Sequence, residues 1–408
     1  MLWLYNIAIQ LYSLLIRILS PFNTKASLFI NGRKHIFDKI AKKVRPNTPH
    51  IWFHFASLGE FEQGRPVLEQ LKTAYPEKKI VITFFSPSGY EIRKNYTMAD
   101  GVFYLPLDTP GNAQRFIQTV QPELAIFTKY EYWYHYFKAL HQHNIPLLII
   151  SGIFRPNQIF FKSYGSFHRK MLGYVTRFFV QNNESIALLK TIDIQNATLS
   201  GDTRFDRVAE NAALSKRLDV IGKFCGDMPV LIAGSTWPED EQLIAQLCKM
   251  HPNWKFIIAP HEIGIHHIRE IEKLFPEAIK YADFAVDISE HHPQVLIIDN
   301  IGMLSALYAY GKAAYIGGGF GAGIHNTLEA AAFGIPVIFG PKYDKFQEAK
   351  DLIQLGAAKS INNLNELEVA FSTLTTSVDS GQIAKDYVNS KTGSTDQIVQ
   401  YLAKFMRT

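Results

Sequence analysis

Apolar runs of three to six residues alternate with amphipathic stretches along most of the chain. The first set of runs covers residues 51–56, 80–85, 124–127, 147–150 and 178–180. Buried apolar strands that are separated by helices indicate a parallel sheet covered by helices on both faces. After a mostly helical connector the pattern restarts, with runs at residues 230–233, 256–259, 295–298, 313–316 and 337–339. The pattern therefore predicts two α/β domains that face a central cleft, beside the carboxyl ends of both sets of strands.

The first twenty residues follow a different pattern. Their polar members Asn6, Gln10, Ser13 and Arg17 are spaced by four, three and four positions, as on one face of an α-helix. The other residues are mainly leucine, isoleucine, tryptophan and tyrosine. A narrow polar stripe on an apolar helix predicts a membrane-associated helix over residues 1–22, lying in the membrane interface. A membrane-spanning helix, and a helix packed on the protein or on a partner, stay open as alternatives.

These patterns divide the chain into four segments. We expect the membrane-associated helix over residues 1–22, a first α/β domain over residues 23–206 and a second over residues 207–385. The segment 386–408 completes the chain. It belongs to a helical pattern that begins near residue 383, and we expect this last helix to cross back onto the first domain. A length of 408 residues is ample for two domains that each have a core.

Composition and charge indicate the compartment and the kind of partner. The chain is 47% apolar and 19% charged, which is typical of a globular protein. Its two cysteines, Cys225 and Cys248, form neither a disulfide framework nor a metal-ligand pattern, so we expect a reducing compartment. The first fifty residues carry eight lysines and arginines against one acidic residue, Asp38. This basic segment favours contact with anionic lipid at the cytoplasmic face of a membrane, or with an anionic substrate.

A glycine-rich loop follows the apolar run at residues 313–316. The next segment predicts a helix whose first turn carries Asn326 and Glu329. Backbone N–H groups and the positive end of a helix can approach a phosphate, and a carboxylate one turn later can bind sugar hydroxyls. These features predict a nucleotide-sugar donor site. Two alternatives stay open: Gly317, Gly319 and Ala322 also fit a dinucleotide-binding pattern, and glycines at a strand–helix turn can be purely structural.

Two carboxylates and one arginine follow predicted strands or connect the two domains. Glu60 lies at the connection between the first predicted strand and the helix that follows it. It can accept a proton at the cleft or simply complement the helix dipole. Glu131 lies just after a strand among four aromatic residues, where pairing with Lys129 is the alternative. Arg204 can stabilise negative charge that develops on a donor, or form an ion pair with a neighbouring aspartate.

Histidines are frequent enough to raise the question of a metal site. The candidates are His261, His266, His267, His291, His292 and His325. Their spacing matches no closed zinc set, and the chain has no Asp-x-Asp pair of the kind that holds a divalent ion against a nucleotide-sugar diphosphate. We therefore expect chemistry without an obligatory metal and without a cofactor.

Several ordered motifs together resemble the Kdo (3-deoxy-D-manno-octulosonic acid) transferases of lipopolysaccharide assembly. The motifs lie at residues 56–60, 105–111, 131–133, 201–206, 233–236, 299–302 and 325–331. The resemblance implies a GT-B fold with two Rossmann-like domains, the first binding the acceptor and the second binding the CMP-sugar. It also implies an inverting transfer of Kdo from CMP-Kdo to a lipid A precursor (lipid IVA) at the cytoplasmic leaflet of the inner membrane, with no nucleic-acid partner.

The resemblance also assigns roles to individual positions. Glu60 matches the family's general base, and Glu131 and Arg204 match its transition-state stabilisers. The positions that match its CMP-contacting segments are Pro260, His261, Ile301, Gly302, Met303, Asn326, Thr327, Leu328 and Glu329. The chain departs from the family at three of these positions: Arg204 stands where lysine is common, His261 where arginine is common, and Met303 where an acidic residue is common.

Three alternatives to this function stay open. The first is a transferase of the same architecture that uses a different nucleotide sugar. The second is a sugar-nucleotide epimerase, which shares the two-domain arrangement. The third is a membrane-docked lipid-binding protein without catalysis, against which the intact acidic positions Glu60 and Glu131 argue.

Overall fold

The computed structural model describes residues 1–286 and 293–406, and the chain divides into two compact units. The first unit comprises Met1–Asp206 and Gly393–Thr408, and the second comprises Arg207–Thr392. Within the described residues, each unit contains one seven-stranded parallel sheet that is covered by helices. The predicted α/β class with two parallel-sheet domains is therefore confirmed.

The first sheet consists of strands whose apolar side chains alternate between its two faces. Its strands are β1 (His50–Phe55), β2 (Lys79–Phe84), β3 (Gly101–Tyr104), β4 (Pro122–Thr128), β5 (Leu147–Gly152), β6 (Arg177–Val180) and β7 (Ala197–Leu199). Their order in the sheet is β3-β2-β1-β4-β5-β6-β7. In β1, Trp52 packs into the core on one face, whereas Ile51 and Phe53 pack into the core on the other. Both faces of the sheet are buried, and for this reason its strands are continuous apolar runs in the sequence.

Helices α1 to α10 lie in or begin in the first unit. They are α1 (Leu2–Leu19), α2 (Thr24–Arg33), α3 (Ile36–Lys43), α4 (Leu58–Ala74), α5 (Pro87–Arg93), α6 (Pro110–Val120), α7 (Tyr134–Gln142), α8 (Ser166–Leu172), α9 (Asn183–Lys190) and α10 (Thr203–Ala213). A short 3₁₀ helix covers Ile159–Phe161. Helix α4 directly follows β1, so its first turn lies at the carboxyl edge of the sheet, which is where ligands bind in open α/β sheets.

The second unit repeats this plan. Its strands are β8 (Val230–Thr236), β9 (Lys255–Pro260), β10 (Ile279–Lys280), β11 (Val295–Ile297), β12 (Ala313–Ile316), β13 (Val337–Phe339) and β14 (Ala358–Ser360), in the order β10-β11-β9-β8-β12-β13-β14. Its helices are α11 (Asp219–Cys225), α12 (Pro238–Met250), α13 (Ile265–Leu274), α14 (Tyr281–Val286), α15 (Leu304–Leu307), α16 (Leu328–Ala332), α17 (Gln347–Gln354), α18 (Leu364–Thr376) and α19 (Ser380–Ser390), with a 3₁₀ helix at Tyr308–Tyr310. All paired strands run parallel, as in the first unit.

The predicted last helix, from about residue 383 to 405, is wrong as one element. The structure has two helices there, α19 and α20 (Ser394–Met406), because Gly393 between them adopts a left-handed φ of 105°. Helix α20 belongs to the first unit, where Ile398 and Leu402 are fully buried against its sheet. Asp206 fixes the start of α20, since its carboxylate accepts hydrogen bonds from the backbone N–H groups of Gly393 (2.6 Å) and Thr395 (2.8 Å).

Helix α1 packs on the first unit through part of its polar stripe. Asn6 Oδ1 lies 2.7 Å from His135 Nε2, Ser13 is only 8% exposed, and the Tyr5 hydroxyl donates to the buried carboxylate of Asp108. The opposite face is apolar and exposed; it is formed by Trp3, Leu4, Ile7, Leu11, Leu14, Leu15 and Ile18. Among the described residues, α1 is the one helix whose length and hydropathy suffice to cross a membrane. The polar stripe therefore faces the protein in part rather than water.

Candidate active site

The first candidate residue, Glu60, lies in the first turn of α4 at the carboxyl edge of the first sheet. Ser57 precedes the helix in an extended conformation, so the chain turns sharply out of β1. The Glu60 carboxylate folds back onto this turn and accepts a hydrogen bond from the backbone N–H of Ala56. In this position the negative charge of Glu60 complements the dipole of α4, as expected of an acidic residue in a first helical turn. It also fixes the carboxylate at the end of β1.

The environment of Glu60 makes its carboxyl group unusually basic. Burial raises the pKa of Glu60 to about 7, and the negative charge of Glu131 adds to this rise. The Ala56 hydrogen bond and the positive charge of Lys129 act in the opposite direction but do not cancel it. A carboxylate with a pKa near neutrality can accept a proton in a reaction, and about half of its population is ionised near pH 7.

Glu131 lies between β4 and α7, at the end of the strand next to β1. Its side chain is 14% exposed, and its Oε2 atom accepts a hydrogen bond from Trp133 Nε1 at 2.9 Å. The same oxygen lies 3.2 Å from Nε2 of His54, a fully buried residue of β1. The structure therefore brings Glu131 and Glu60 to one edge of the sheet, where the charge of Glu131 acts on Glu60.

Arg204 lies in the first turn of α10 and forms the ion pair that the sequence left open. Its guanidinium contacts Asp202 Oδ2 through Nε (2.9 Å) and Nη2 (2.8 Å). Burial alone would raise the pKa of Asp202, but the charge of Arg204 and hydrogen bonds hold it below its usual value. Gln63 Nε2 donates to the other oxygen of Asp202 at 2.9 Å. Since Gln63 lies on α4 with Glu60, this network ties Arg204 to the helix that carries the candidate base.

His54, Gln63, Asp202 and Trp133 are therefore parts of this site that sequence reasoning did not assign a role. Trp133 and Asp202 lie within the motifs at residues 131–133 and 201–206, so the sequence already marked these positions as part of the motif series. His54 and Gln63 carried none, because a buried polar residue within a strand or helix becomes interpretable only once its partner is known.

The candidate donor segments lie at the carboxyl ends of strands in the second unit. Pro260 ends β9, and His261 follows it. The segment 301–303 follows β11, where Gly302 adopts a left-handed φ of 97° and Met303 precedes α15. The segment 326–329 follows β12 and the glycine loop. Strand ends of this kind are the expected ligand edge of a parallel sheet.

Three aromatic rings bring two of these segments together. The His261 ring stacks on Trp237 with a centroid separation of 5.0 Å and on His325 with 4.4 Å. Trp237 Nε1 also donates to His325 Nε2 at 3.2 Å. Burial, and then the neighbouring His261, lower the pKa of His325 to about 4, so His325 is neutral near pH 7 and accepts this hydrogen bond. The stack holds the end of β9 against the segment after β12.

The glycine loop differs from its predicted role. Within the loop and the residues after it, the backbone N–H groups of Gly317, Gly318, Gly321, Gly323, Ile324 and His325 all donate to acceptors within the protein. A Cβ atom at Gly317 would lie 2.2 Å from Ser235 O, and one at Gly319 would lie 2.6 Å from Gly340. These glycines allow close backbone approach. The structural alternative therefore describes them better than a phosphate cradle does.

The helix after this loop is also shorter than predicted. It begins at Leu328 and contains five residues, so Asn326 precedes it instead of lying in its first turn. Asn326 Oδ1 accepts from the Leu328 N–H at 3.1 Å, and its Nδ2 donates to Glu329 Oε1 at 3.0 Å. The chain leaves the helix at Gly334, which adopts a left-handed φ of 77°. So short a helix offers little dipole for a phosphate. The side chains of this segment are the better candidates for ligand contact.

The described residues contain no group of three or more His, Cys, Asp or Glu side chains that could hold a metal ion. His267 Nε2 instead contacts the buried Glu241 Oε2 at 3.0 Å, which links α13 to α12. His291 and His292 lie outside the described residues. The expected absence of an obligatory metal stays a prediction.

Comparison with known proteins identifies relatives along most of the chain. The model of the 3-deoxy-D-manno-octulosonic-acid transferase (kdotransferase) family matches residues 32–207. The 3-deoxy-D-manno-octulosonic acid transferase of Haemophilus influenzae is 27% identical over 381 residues, covering 88% of this chain and 88% of that protein. The corresponding transferase of Aquifex aeolicus is 28% identical over 335 residues, covering 79% of this chain and 85% of its own.

Solved structures with a similar fold come from two kinds of protein. A UDP-GlcNAc 2-epimerase from Neisseria meningitidis bound to UDP-GlcNAc aligns with a TM-score of 0.60 at 15% identity, covering 87% of this chain and all of that one. The calicheamicin glycosyltransferase CalG4 aligns with a TM-score of 0.52 at 15% identity, covering 88% of this chain and 99% of its own. At these identities the likeness concerns the fold, which agrees with the predicted GT-B class.

Replacing Asp240 with alanine should loosen the glycine loop. The fully buried Asp240 carboxylate accepts hydrogen bonds from the N–H groups of Gly318 (2.9 Å) and Trp237 (3.0 Å) and from the Tyr315 hydroxyl (2.8 Å). Each buried donor that is left unpaired costs about 1–3 kcal/mol. We expect lower stability to denaturant and faster amide hydrogen exchange in residues 317–323 for Asp240→Ala. The exposed neighbour Glu239→Ala is the control, and equal exchange in both variants would contradict this role.

Proposed function

This chain resembles the Kdo transferases, which are glycosyltransferases, along most of its length, and we propose that it transfers Kdo from CMP-Kdo to a lipid A precursor, lipid IVA. The similarity to the Haemophilus influenzae and Aquifex aeolicus transferases supports the type of donor sugar. The carboxylate pair of Glu60 and Glu131 supports the chemistry, because an acceptor hydroxyl must lose a proton as it attacks.

In the proposed reaction Glu60 is the general base. It accepts the proton of a glucosamine hydroxyl while that oxygen forms a bond to the anomeric carbon of Kdo. The bond between this carbon and the phosphate oxygen breaks at the same time, and CMP leaves with the bonding electrons. Attack opposite to the leaving group inverts the configuration at the anomeric carbon. Such a reaction needs one base and groups that stabilise two negative charges. It requires neither a metal nor a cofactor.

Glu131 and Arg204 would act on the charges that develop in this reaction. Glu131 keeps the proton affinity of Glu60 high and is itself oriented by Trp133. Arg204 would offset the charge of the phosphate or carboxylate of the donor, and Asp202 fixes the orientation of its guanidinium. The planar guanidinium of Arg204 offers a fork of donors that suits an oxyanion.

The proposed CMP contacts come from the three strand-end segments of the second unit, not from the glycine amides. Glu329, held by Asn326, would bind the ribose hydroxyls. Among the described residues, the buried Thr327 hydroxyl lacks a hydrogen-bond partner, and a bound nucleotide would supply one. His261, whose ring stacks on Trp237 and on His325, would contact the phosphate. The segment 301–303 would contribute mainly backbone groups.

Replacing Glu60 with glutamine tests the proposed chemistry. The purified chain is incubated with CMP-Kdo and a tetra-acylated lipid A precursor, and the products are analysed by mass spectrometry. We expect addition of Kdo by the unmodified chain and a rate about 10²–10⁴-fold lower for Glu60→Gln, since the amide cannot accept the proton. Glu62→Gln is the matched control, because Glu62 lies on the same helix but pairs with Arg65 and Arg93.

Two outcomes of this assay would contradict the proposal. A folded Glu60→Gln protein that transfers at a near-normal rate would remove Glu60 as the base. Absence of Kdo addition by the unmodified chain, together with turnover of a UDP- or GDP-linked sugar, would identify a different transferase or an epimerase. Thermal-shift measurements with CMP, UDP and GDP separate these cases without an acceptor.

We further propose that the chain binds the cytoplasmic leaflet of the inner membrane through α1. Helix α1 exposes a continuous apolar face, while part of its polar stripe contacts the protein, so burial of the apolar face needs a lipid surface or a partner. Exposed basic residues follow the helix and favour anionic lipid; they are Lys25, Lys34, Lys39, Lys42, Lys43 and Arg45. Arg33 is not one of them, since its guanidinium donates to three backbone carbonyls within the unit.

Replacing Leu15 with glutamate should weaken membrane binding. Leu15 is 55% exposed on the apolar face of α1, and burying a leucine side chain contributes about 1.5–3 kcal/mol. We expect Leu15→Glu to lower the affinity for vesicles that contain anionic phospholipid by about tenfold or more in sedimentation assays. Gln10→Glu adds the same charge outside the apolar face and should bind more tightly than Leu15→Glu. Equal binding by the unmodified chain and Leu15→Glu would contradict this orientation of α1.

A further inference from the structure

A chain of hydrogen bonds runs through the interior of the first unit and ends at Glu131. It begins at Trp52 Nε1, which donates to Thr83 Oγ1 at 2.8 Å. Thr83 Oγ1 lies 2.8 Å from His54 Nδ1, and His54 Nε2 lies 3.2 Å from Glu131 Oε2. Trp52, Thr83 and His54 are all fully buried. Polar side chains this deep in a sheet are costly unless they are paired, and each of these three has a hydrogen-bond partner.

We propose that His54 is a positioning residue that holds the carboxylate of Glu131 in one orientation near Glu60. This inference rests on the proposed function, in which Glu60 removes a proton from the acceptor. His54 does not touch the substrate in this account. It acts through Glu131, in the manner of buried groups that orient a catalytic side chain by hydrogen bonding.

The geometry assigns the protons along the chain. Indole Nε1 can only donate, so Thr83 Oγ1 accepts from Trp52. The hydroxyl proton of Thr83 then has two acceptors within reach, His54 Nδ1 at 2.8 Å and the carbonyl of Phe53 at 3.5 Å. The shorter contact has the usual length of a hydroxyl hydrogen bond and the longer one is at the limit. A carboxylate can only accept, so the His54 nitrogen that faces Glu131, Nε2, carries the proton of this hydrogen bond.

With this proton, one oxygen of Glu131 has two N–H donors. Glu131 Oε2 receives the His54 Nε2 proton and the Trp133 Nε1 proton, the latter at 2.9 Å. Trp133 Nε1 is also 3.3 Å from His54 Nε2, but that nitrogen already carries a proton and cannot accept. Hydrogen bonds to a carboxylate favour its charged form and restrict its rotation. Both donors come from rings packed in the protein, so the carboxylate is held in one orientation.

The negative charge of Glu131 matters because it raises the pKa of Glu60. The titratable groups that act on Glu60 are Glu131, Lys129 and, more weakly, Tyr130. Lys129 favours the ionised form of Glu60, whereas Glu131 favours the protonated form. If Glu131 turned away or lost its charge, only burial would still raise the pKa of Glu60. This pKa would then fall below about 7. A weaker base would then meet the acceptor hydroxyl.

The experiment titrates the Glu60 carboxyl group directly. The full-length chain is labelled with ¹³C at the glutamate carboxyl carbons, the Glu60 signal is assigned with Glu60→Gln, and its pKa is read from chemical shift against pH. The variant His54→Phe keeps a planar ring but removes the donor, and His54→Gln keeps an N–H donor on a side chain that does not titrate. We expect the pKa of Glu60 to fall by about one unit or more in His54→Phe and to stay near the unmodified value in His54→Gln.

A second variant keeps the test decisive if His54→Phe does not fold. Thr83→Val preserves the shape of the side chain but removes the hydroxyl that contacts His54 Nδ1, and it should shift Glu60 in the same direction. An unchanged Glu60 pKa in folded His54→Phe or Thr83→Val would overturn the proposal, as would an equal shift in His54→Gln. The titration needs no sugar transfer. A chain that shows the expected shifts but transfers no Kdo would refute the proposed function and leave this inference intact.

Discussion

The burial of Glu60 near the negative charge of Glu131 is the constraint on which the rest of this account depends. Two carboxylates at one edge of a buried sheet favour a form in which one of them holds its proton tightly, and burial of Glu60 makes it that one. The turn before α4 fixes Glu60, and the rings of Trp133 and His54 fix Glu131. In the proposed reaction this pair supplies a base suited to neutral pH.

The order of the strands explains why these groups meet. In the first sheet β1 and β4 are neighbours, and the chain leaves them in opposite directions, toward β2 and toward β5. The loops after two such strands diverge and leave room between them, which is the switch point where open α/β sheets bind ligands. Glu60 follows β1 and Glu131 follows β4. The second sheet repeats this arrangement at β8 and β12, which are followed by Trp237 and by the segment that contains His325.

Much of the fold could be predicted from the sequence, for a physical reason. The ten predicted apolar runs are the ten interior strands, whose two buried faces leave an unmistakable pattern. The four strands that the pattern missed are the sheet edges β3, β7, β10 and β14, which are only two to four residues long. Glu60 and Glu131 could be placed at the edge of the sheet because they lie within a few residues of the ends of β1 and β4. The glycine loop misled because its glycines serve packing against Ser235 and Gly340, and a sequence does not say which neighbour a glycine admits.

The pH dependence of Kdo transfer tests the central claim most directly. The rate at limiting substrate, kcat/KM, reports the ionisation of groups in the free enzyme. Because the pKa of Glu60 is raised to about 7, the base is ionised above this value and protonated below it. We predict that kcat/KM falls to half near pH 7 and decreases about tenfold for each further pH unit of acidification. A rate that stays constant down to about pH 5, the range of an ordinary glutamate, would contradict the account.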